Sequence, residues 1–343
     1  FSRKKIVVFS LLGWSLSTFL TGFAPGLLYL ILVRSLATGV GEAFYAPSAF
    51  ALLGEHHVEQ RAQAMAVHQT ALYVGVVFSG IAAGYVGDHF GWRSAFWVFG
   101  FAGIAVAGMI QRRLREASPV TESASGRPSA ALVLRTIAGR PTAILLAFGL
   151  AGAVFVNIGY LTWMPTYLHE RFRLSLANAG FSSMFWHYMP AFFGVLAGGR
   201  LSDHFARRRP RFRLELQAAG LLLAMPFLFW LGASDRLVAT YFAVGVFGFF
   251  RGFYDSNIYA SLFEVIEPRF HASATGAMTA FAFVLGSLAP VALGIIKQRA
   301  GLSIGFSALA LVYLAAAVLL VSAIVVFFHK DYVRSIGVTT CSD

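Results

Sequence analysis

Four ionisable residues stand inside long apolar runs, in two pairs. Arg34 and Glu42 are eight residues apart in one run, and Arg251 and Asp255 are four apart in another. A charge in hydrocarbon is costly, so such groups face a partner or a water-filled cavity and mark solute or proton paths. Arg34 offers a guanidinium that stays charged and grips a carboxylate through two parallel hydrogen bonds, which suits an anionic solute. Glu42 is the expected proton carrier, because a carboxylate shielded from water binds and releases its proton near neutral pH. Eight helical residues give ~12 Å of rise and about 80° of rotation, so these two can line one cavity without touching. Arg251 and Asp255 share a helix face and can pair. Two readings stand side by side for them: a structural tie between helices, or an anion contact (Arg251) with a second proton-coupling carboxylate (Asp255).

Polar side chains elsewhere in apolar runs extend the candidate solute-binding set. Asn157, Tyr160 and Trp163 recur at spacings of three on one helical stripe, and Tyr45 and Asn257 add further hydrogen-bonding groups. Trp163, near a span end, is equally suited to anchoring at the membrane interface. His187 is read as a structural group, and His56 and His57, among Glu55 and Glu59, as solvated. The only cysteine is Cys341, so the chain has no internal disulfide and no cysteine metal site. No catalytic constellation, cofactor motif or phosphate-cradling Gly-x-x-x-x-Gly-Lys-Ser/Thr loop is present, which argues against an enzyme and against direct ATP drive.

The elements that position these residues are apolar runs. Of the 343 residues, 58% are hydrophobic and only 12% charged, and mean hydropathy is +0.70. A soluble domain carries roughly twice that charge, while roughly 20 apolar residues cross a bilayer as a helix. The chain is therefore expected to be an all-α polytopic membrane protein. Ten spans are expected: 6–23, 27–53, 64–86, 94–110, 142–168, 177–201, 214–231, 237–263, 272–296 and 304–328. An arginine-bearing stretch over 111–141 divides them four to six, giving an N-terminal bundle over 1–110, a linker, and a C-terminal bundle over 142–343.

The net charge of +12 would suit a nucleic-acid partner in a soluble protein. Here the basic residues are better explained by topology. On the side of the N-terminal segment lie 19 of the 27 lysines and arginines, and basic loops stay cytoplasmic. The N-terminus of this chain, the central loop and the C-terminus are thus expected in the cytoplasm, in a cell (inner or plasma) membrane.

The loop after the sixth span reads Gly199-Arg200-Leu201-Ser202-Asp203-His204-Phe205-Ala206-Arg207-Arg208-Arg209, and the chain opens with Phe1-Ser2-Arg3-Lys4-Lys5. The tail of the first string matches the second residue type by residue type, as in a duplicated transporter. This loop resembles the Gly-x-Leu-x-Asp-x-x-Gly-Arg-Lys/Arg motif of the major facilitator superfamily, with His204 and Ala206 departing from it. Arg34 to Glu42, with Gly39 and Gly41, is similar to that family's fourth helix, and Gly91-Trp92-Arg93-Ser94-Ala95-Phe96 to the loop before its sixth. Tyr160-Leu161-Thr162-Trp163-Met164-Pro165-Thr166-Tyr167 resembles the seventh helix of its anion:cation symporters.

The resemblance implies helices three to twelve of a twelve-helix fold, with the first two missing. It also implies a gating latch in which Asp203 pairs with the Arg207–Arg208 cluster. In the resembling symporters an arginine and a glutamate of the fourth helix bind anion and proton, usually seven residues apart rather than eight. The expected function is proton-coupled symport of a small organic anion, such as a sugar acid, by a monomer in the bilayer. The alternatives are a facilitator exporting lipid or another solute, of the spinster kind, or a truncated protein that does not transport.

Overall fold

The computed structural model describes residues 3–37, 45, 48–49, 52, 61–114, 129–206, 208–267 and 270–335. Among these residues there is no strand. The helices are α1 (Arg3–Thr21), α2 (Leu27–Leu30), which runs directly into a π-helical stretch over Ile31–Ala37, α3 (Arg61–Phe90) and α4 (Trp92–Arg113). They continue as α5 (Ala130–Ala138), α6 (Pro141–Phe172), α7 (Leu176–Ala206), α8 (Phe212–Ala233), α9 (Leu237–Asp255) and α10 (Ile258–Val265). The last are α11 (His271–Gly286), α12 (Ala289–Ala300), α13 (Leu302–Ser322) and, beyond a π-helical Ala323–Phe327, α14 (Phe328–Ser335).

Among the described residues six helical runs are both long and apolar enough to cross a bilayer: Trp92–Arg113, Pro141–Phe172, Phe212–Ala233, Leu237–Val265, Ser273–Ala300 and Leu302–Ser335. They match six of the ten expected spans. α1, α3 and α7 coincide with three more, as helices of 19, 30 and 31 residues. Part of the second expected span, including 38–44, lies outside the described residues. The central polar stretch holds a helix that composition did not suggest. In α5, Ser129 caps the first turn by accepting from the Leu132 N–H at 3.3 Å.

The chain divides into two compact units, Phe1–Ala124 with Leu174–Phe181, and Ser125–Arg173 with Ser182–Asp343. In the first, α4 packs on α1 and on α3. Gly91 joins α3 to α4 at φ +80°, a conformation that side chains disfavour. The carboxylate of Asp88 accepts from the N–H groups of Leu176 and Ala177, at 3.3 and 3.1 Å. Those two donors at the start of α7 have no partner within their own helix.

In the second unit α8 packs against α9 and α13, and α6 against α11 and α13. Leu146, Tyr160, Leu221, Leu228, Phe247, Phe306 and Tyr313 fill the core, each no more than 2% exposed. Pro165, Pro190 and Pro226 sit inside α6, α7 and α8, which a helix packed among other helices tolerates. Its final helix, α14, is pinned beneath α6. Buried Asp331 accepts from the Thr142 N–H at 2.8 Å, while buried Arg140 donates to the Asp331 carbonyl at 2.9 Å and pairs with Glu267.

Candidate functional site

Each unit carries one concentration of the polar groups singled out in the sequence. In the first, Arg34 projects from the π-helical stretch that continues α2. Such stretches are rare and recur at functional sites. The guanidinium lies 3.4 Å from the Thr18 hydroxyl and 5.7 Å from the centre of the Phe96 ring. It borders a cavity of about 520 Å3 whose other walls are Thr21, Leu27, Leu30, Ile31, Trp92 and Phe96. This is one exposed cation on a largely apolar wall, which suits a solute with an anionic end and an apolar body. Tyr45 sits apart from it. Its ring meets Trp14 edge-on at 5.0 Å and packs against a small cluster of Val7, Ala49 and Leu52. Glu42 lies outside the described residues.

In the second unit the site forms where α6, α7 and α9 approach one another. A Cβ on Gly248 would come within 2.4 Å of the His187 carbonyl, and one on Gly252 within 2.5 Å of the Val195 nitrogen. Both positions therefore have to be glycine for α9 to lie this close to α7. That approach brings Arg251 to His187. The Arg251 Nη1 donates to the Asn157 Oδ1 and lies 2.9 Å from the His187 Nε2, while Nε stands 3.2 Å from the Asp255 carboxylate. One cation is thus held by a neutral amide, a neutral ring and an anion, drawn from three helices. His187 is fully buried, tilted on Tyr160 at 4.7 Å and stacked on Phe247 at 5.0 Å. The Tyr160 hydroxyl donates to the Ser183 carbonyl. Arg251 and Asp255 keep 13% and 28% side-chain exposure, so this cluster is not sealed.

Of the expected contacts, Asn157, Tyr160, Arg251 and Asp255 therefore come together. Trp163 does something different: its indole N–H donates to the Pro290 carbonyl at 3.0 Å, and Lys297 lies over its ring at 5.2 Å. Asn257 is fully buried in the Ser256–Asn257 turn between α9 and α10. Its amide donates to the Phe253 carbonyl and the Ser256 hydroxyl, and Gln217 donates to its carbonyl at 2.8 Å. His187, read from sequence as structural, is the member of the cluster that sequence reasoning passed over. The available signal was its place three residues before the proline of α7, within a largely apolar helix.

At the α7–α8 loop Asp203 meets an arginine outside the expected latch. Asp203 lies 3.6 Å from Arg213, which also reaches Glu264 at 3.2 Å and the Ser202 hydroxyl at 3.1 Å. Arg208 makes no ion pair with Asp203, and Arg207 lies outside the described residues. Among the described residues no group of three or more His, Cys, Asp or Glu could hold a metal ion.

The family follows from comparison with known proteins. A sequence profile of the Major Facilitator Superfamily matches residues 1–290. The chain belongs to this superfamily. Among its relatives is an MFS-type efflux pump of Mycolicibacterium smegmatis, 26% identical over 331 residues, covering 91% of this chain and 73% of that protein. Another is sodium-dependent phosphate transport protein 1, chloroplastic, of Arabidopsis thaliana, 26% identical over 319 residues. That match covers 86% of this chain but only 61% of the relative, so the chain spans less than two thirds of it. The fold matches the crystal structure of a bacterial homologue of the human lysosomal transporter spinster, in an inward-facing, unoccupied conformation. The TM-score is 0.74 at 21% identity, over 98% of this chain and 84% of that one. The superfamily fold and a multi-pass membrane architecture are thus established for this chain.

Proposed function

We propose that this protein is a secondary active transporter that moves a small organic anion, such as a sugar acid, together with protons. The observation that carries the reading is the Arg251 cluster, in which one guanidinium is shared by Asn157, His187 and Asp255 inside a transmembrane bundle. A substrate carboxylate is a better partner for guanidinium than a neutral amide, because both hydrogen bonds are charge-assisted. Protonating Asp255 removes the competing anion and releases Arg251 to the substrate. Proton and anion then favour the same state, which is the requirement for symport. Arg34 supplies a second cation in the other unit, and Glu42 the main proton carrier. The anion-transporting relative from Arabidopsis supports the choice of charge.

The test is uptake of a panel of sugar acids by the full-length protein in proteoliposomes under an imposed pH gradient. Accumulation with an inward proton gradient supports the reading. Substrate-induced proton release, in place of proton uptake, would replace it with exchange.

A second reading, export of a lipid-like solute, is favoured by one observation. A cavity of about 330 Å3 among α6, α11 and α13 is lined by Phe148, Phe155, Leu285, Val312, Leu319 and small residues, with no charged group. Transport of a single-chain lipid but of no sugar acid would select it.

A further inference from the structure

The end of α7 carries positive charge that the transport cycle proposed above does not use. The arginines between 200 and 213 fall into two sets. Arg209 and Arg211 reach Glu215 at 2.9 and 3.2 Å, and Arg213 reaches Glu264 and Asp203. Arg200 and Arg208 have no acidic partner among the described residues, and both line one cavity of about 510 Å3 together with Asp203, His204 and Phe205. Asp203, the acid in that wall, is already engaged by Arg213. Arg200 and His204, four apart, share a face of α7, and Arg208 lies in the turn just past its end. The helix carbonyl terminus also favours cations there.

We propose that this cavity binds the phosphodiester headgroup of an anionic phospholipid. Guanidinium groups hold phosphate oxygens through paired hydrogen bonds. Membrane lipid is favoured over a soluble anion by what surrounds the charges. Phe205 is 48% exposed and packs edge-on with His204 at 4.8 Å, with Phe212 at 5.1 Å behind it. An exposed aromatic beside arginines, at the end of a 31-residue helix of membrane-spanning length, is the arrangement of a headgroup-level site. The topology proposed from the basic residues puts this end at the cytoplasmic leaflet, where anionic lipids collect.

The experiment uses the full-length protein in phosphatidylcholine nanodiscs containing phosphatidylglycerol, with retained phosphatidylglycerol counted by native mass spectrometry. Arg200→Gln/Arg208→Gln should weaken the tightest site on the order of tenfold. Arg209→Gln/Arg211→Gln removes the same charge from arginines that already have partners and should retain it. The single variant Arg208→Gln, with a smaller loss in the same direction, serves should the double variant fail to fold. Equal retention in the wild type and the Arg200/Arg208 variants overturns the proposal. Equal loss in both double variants also overturns it, since the charge is then diffuse. Displacement of the lipid by inorganic phosphate identifies a soluble-anion site and overturns the assignment to lipid.

Discussion

Arg251 and His187 meet nitrogen to nitrogen, with Nη1 of the guanidinium 2.9 Å from Nε2 of the imidazole. Only one proton fits between them, and the guanidinium supplies it. The ring is therefore neutral, with its own hydrogen on Nδ1. That buried Nδ1 meets no acceptor among the described residues. A second cation at this fully buried position would stand directly against Arg251. His187→Lys should destabilise the protein by more than about 3 kcal/mol. His187→Gln, which preserves an acceptor, should cost about 1 kcal/mol. Thermal melts in detergent compare the two; equal losses would mean that Nε2 is not the acceptor for Arg251.

The Arg251–Asp255 pair sets a sign for pH. In the proposed cycle the substrate binds better when Asp255 is protonated, so anion affinity falls as pH rises. Asp255→Asn should hold affinity at its low-pH value across the range. Titrating substrate binding at several pH values checks this, and an unaltered pH dependence removes Asp255 from the coupling. The variant should cost no more than about 3 kcal/mol of stability, because a carboxylate 28% exposed is partly screened by solvent.

In the proposed cycle Arg34 serves binding and Glu42 energy coupling, and substitutions separate the two. Arg34→Ala should weaken anion affinity roughly tenfold or more, the loss of one charge-assisted contact. Glu42→Gln should abolish accumulation driven by a pH gradient yet leave counterflow exchange intact. Uptake and counterflow on the same vesicles decide both; accumulation that survives in Glu42→Gln means another group carries the proton.

Pinning of α14 beneath α6 is testable by stability alone. Asp331 is 2% exposed and accepts the Thr142 N–H, and Arg140 is 4% exposed with Asp331 and Glu267 as partners. Asp331→Ala leaves the buried Thr142 N–H without its acceptor, while the main-chain carbonyl that Arg140 uses remains. It should cost about 1–3 kcal/mol. A melting temperature unchanged from the wild type would show that the terminal helix bears no load.

The spans were legible because bilayer thickness imposes one long, simple signal on the chain. The Arg251–Asp255 pair was legible too, since four residues make one helix turn and the partners lie on the same face. What joins Asn157 and His187 to Arg251 was not. These partners are 94 and 64 residues away, and their meeting depends on Gly248 and Gly252 admitting a close helix. Trp163 shows the converse: a stripe at spacings of three predicts a shared direction, but Pro290 on a neighbouring helix decided where its N–H went. The basic loop revealed its family through residue order. Which arginine pairs with Asp203 depended on where α8 begins, and that put Arg213 in reach.

The π-helical turn over Ile31–Ala37 alters how distance along this segment translates into direction. An α-helix advances about 100° per residue, so seven residues return nearly to the starting face and eight overshoot it. A wider turn absorbs one extra residue and resets the phase. Arg34, inside this turn, therefore stands at a different angle about the axis from the one an unbroken α-helix would give it, and the guanidinium reaches the Thr18 hydroxyl from there.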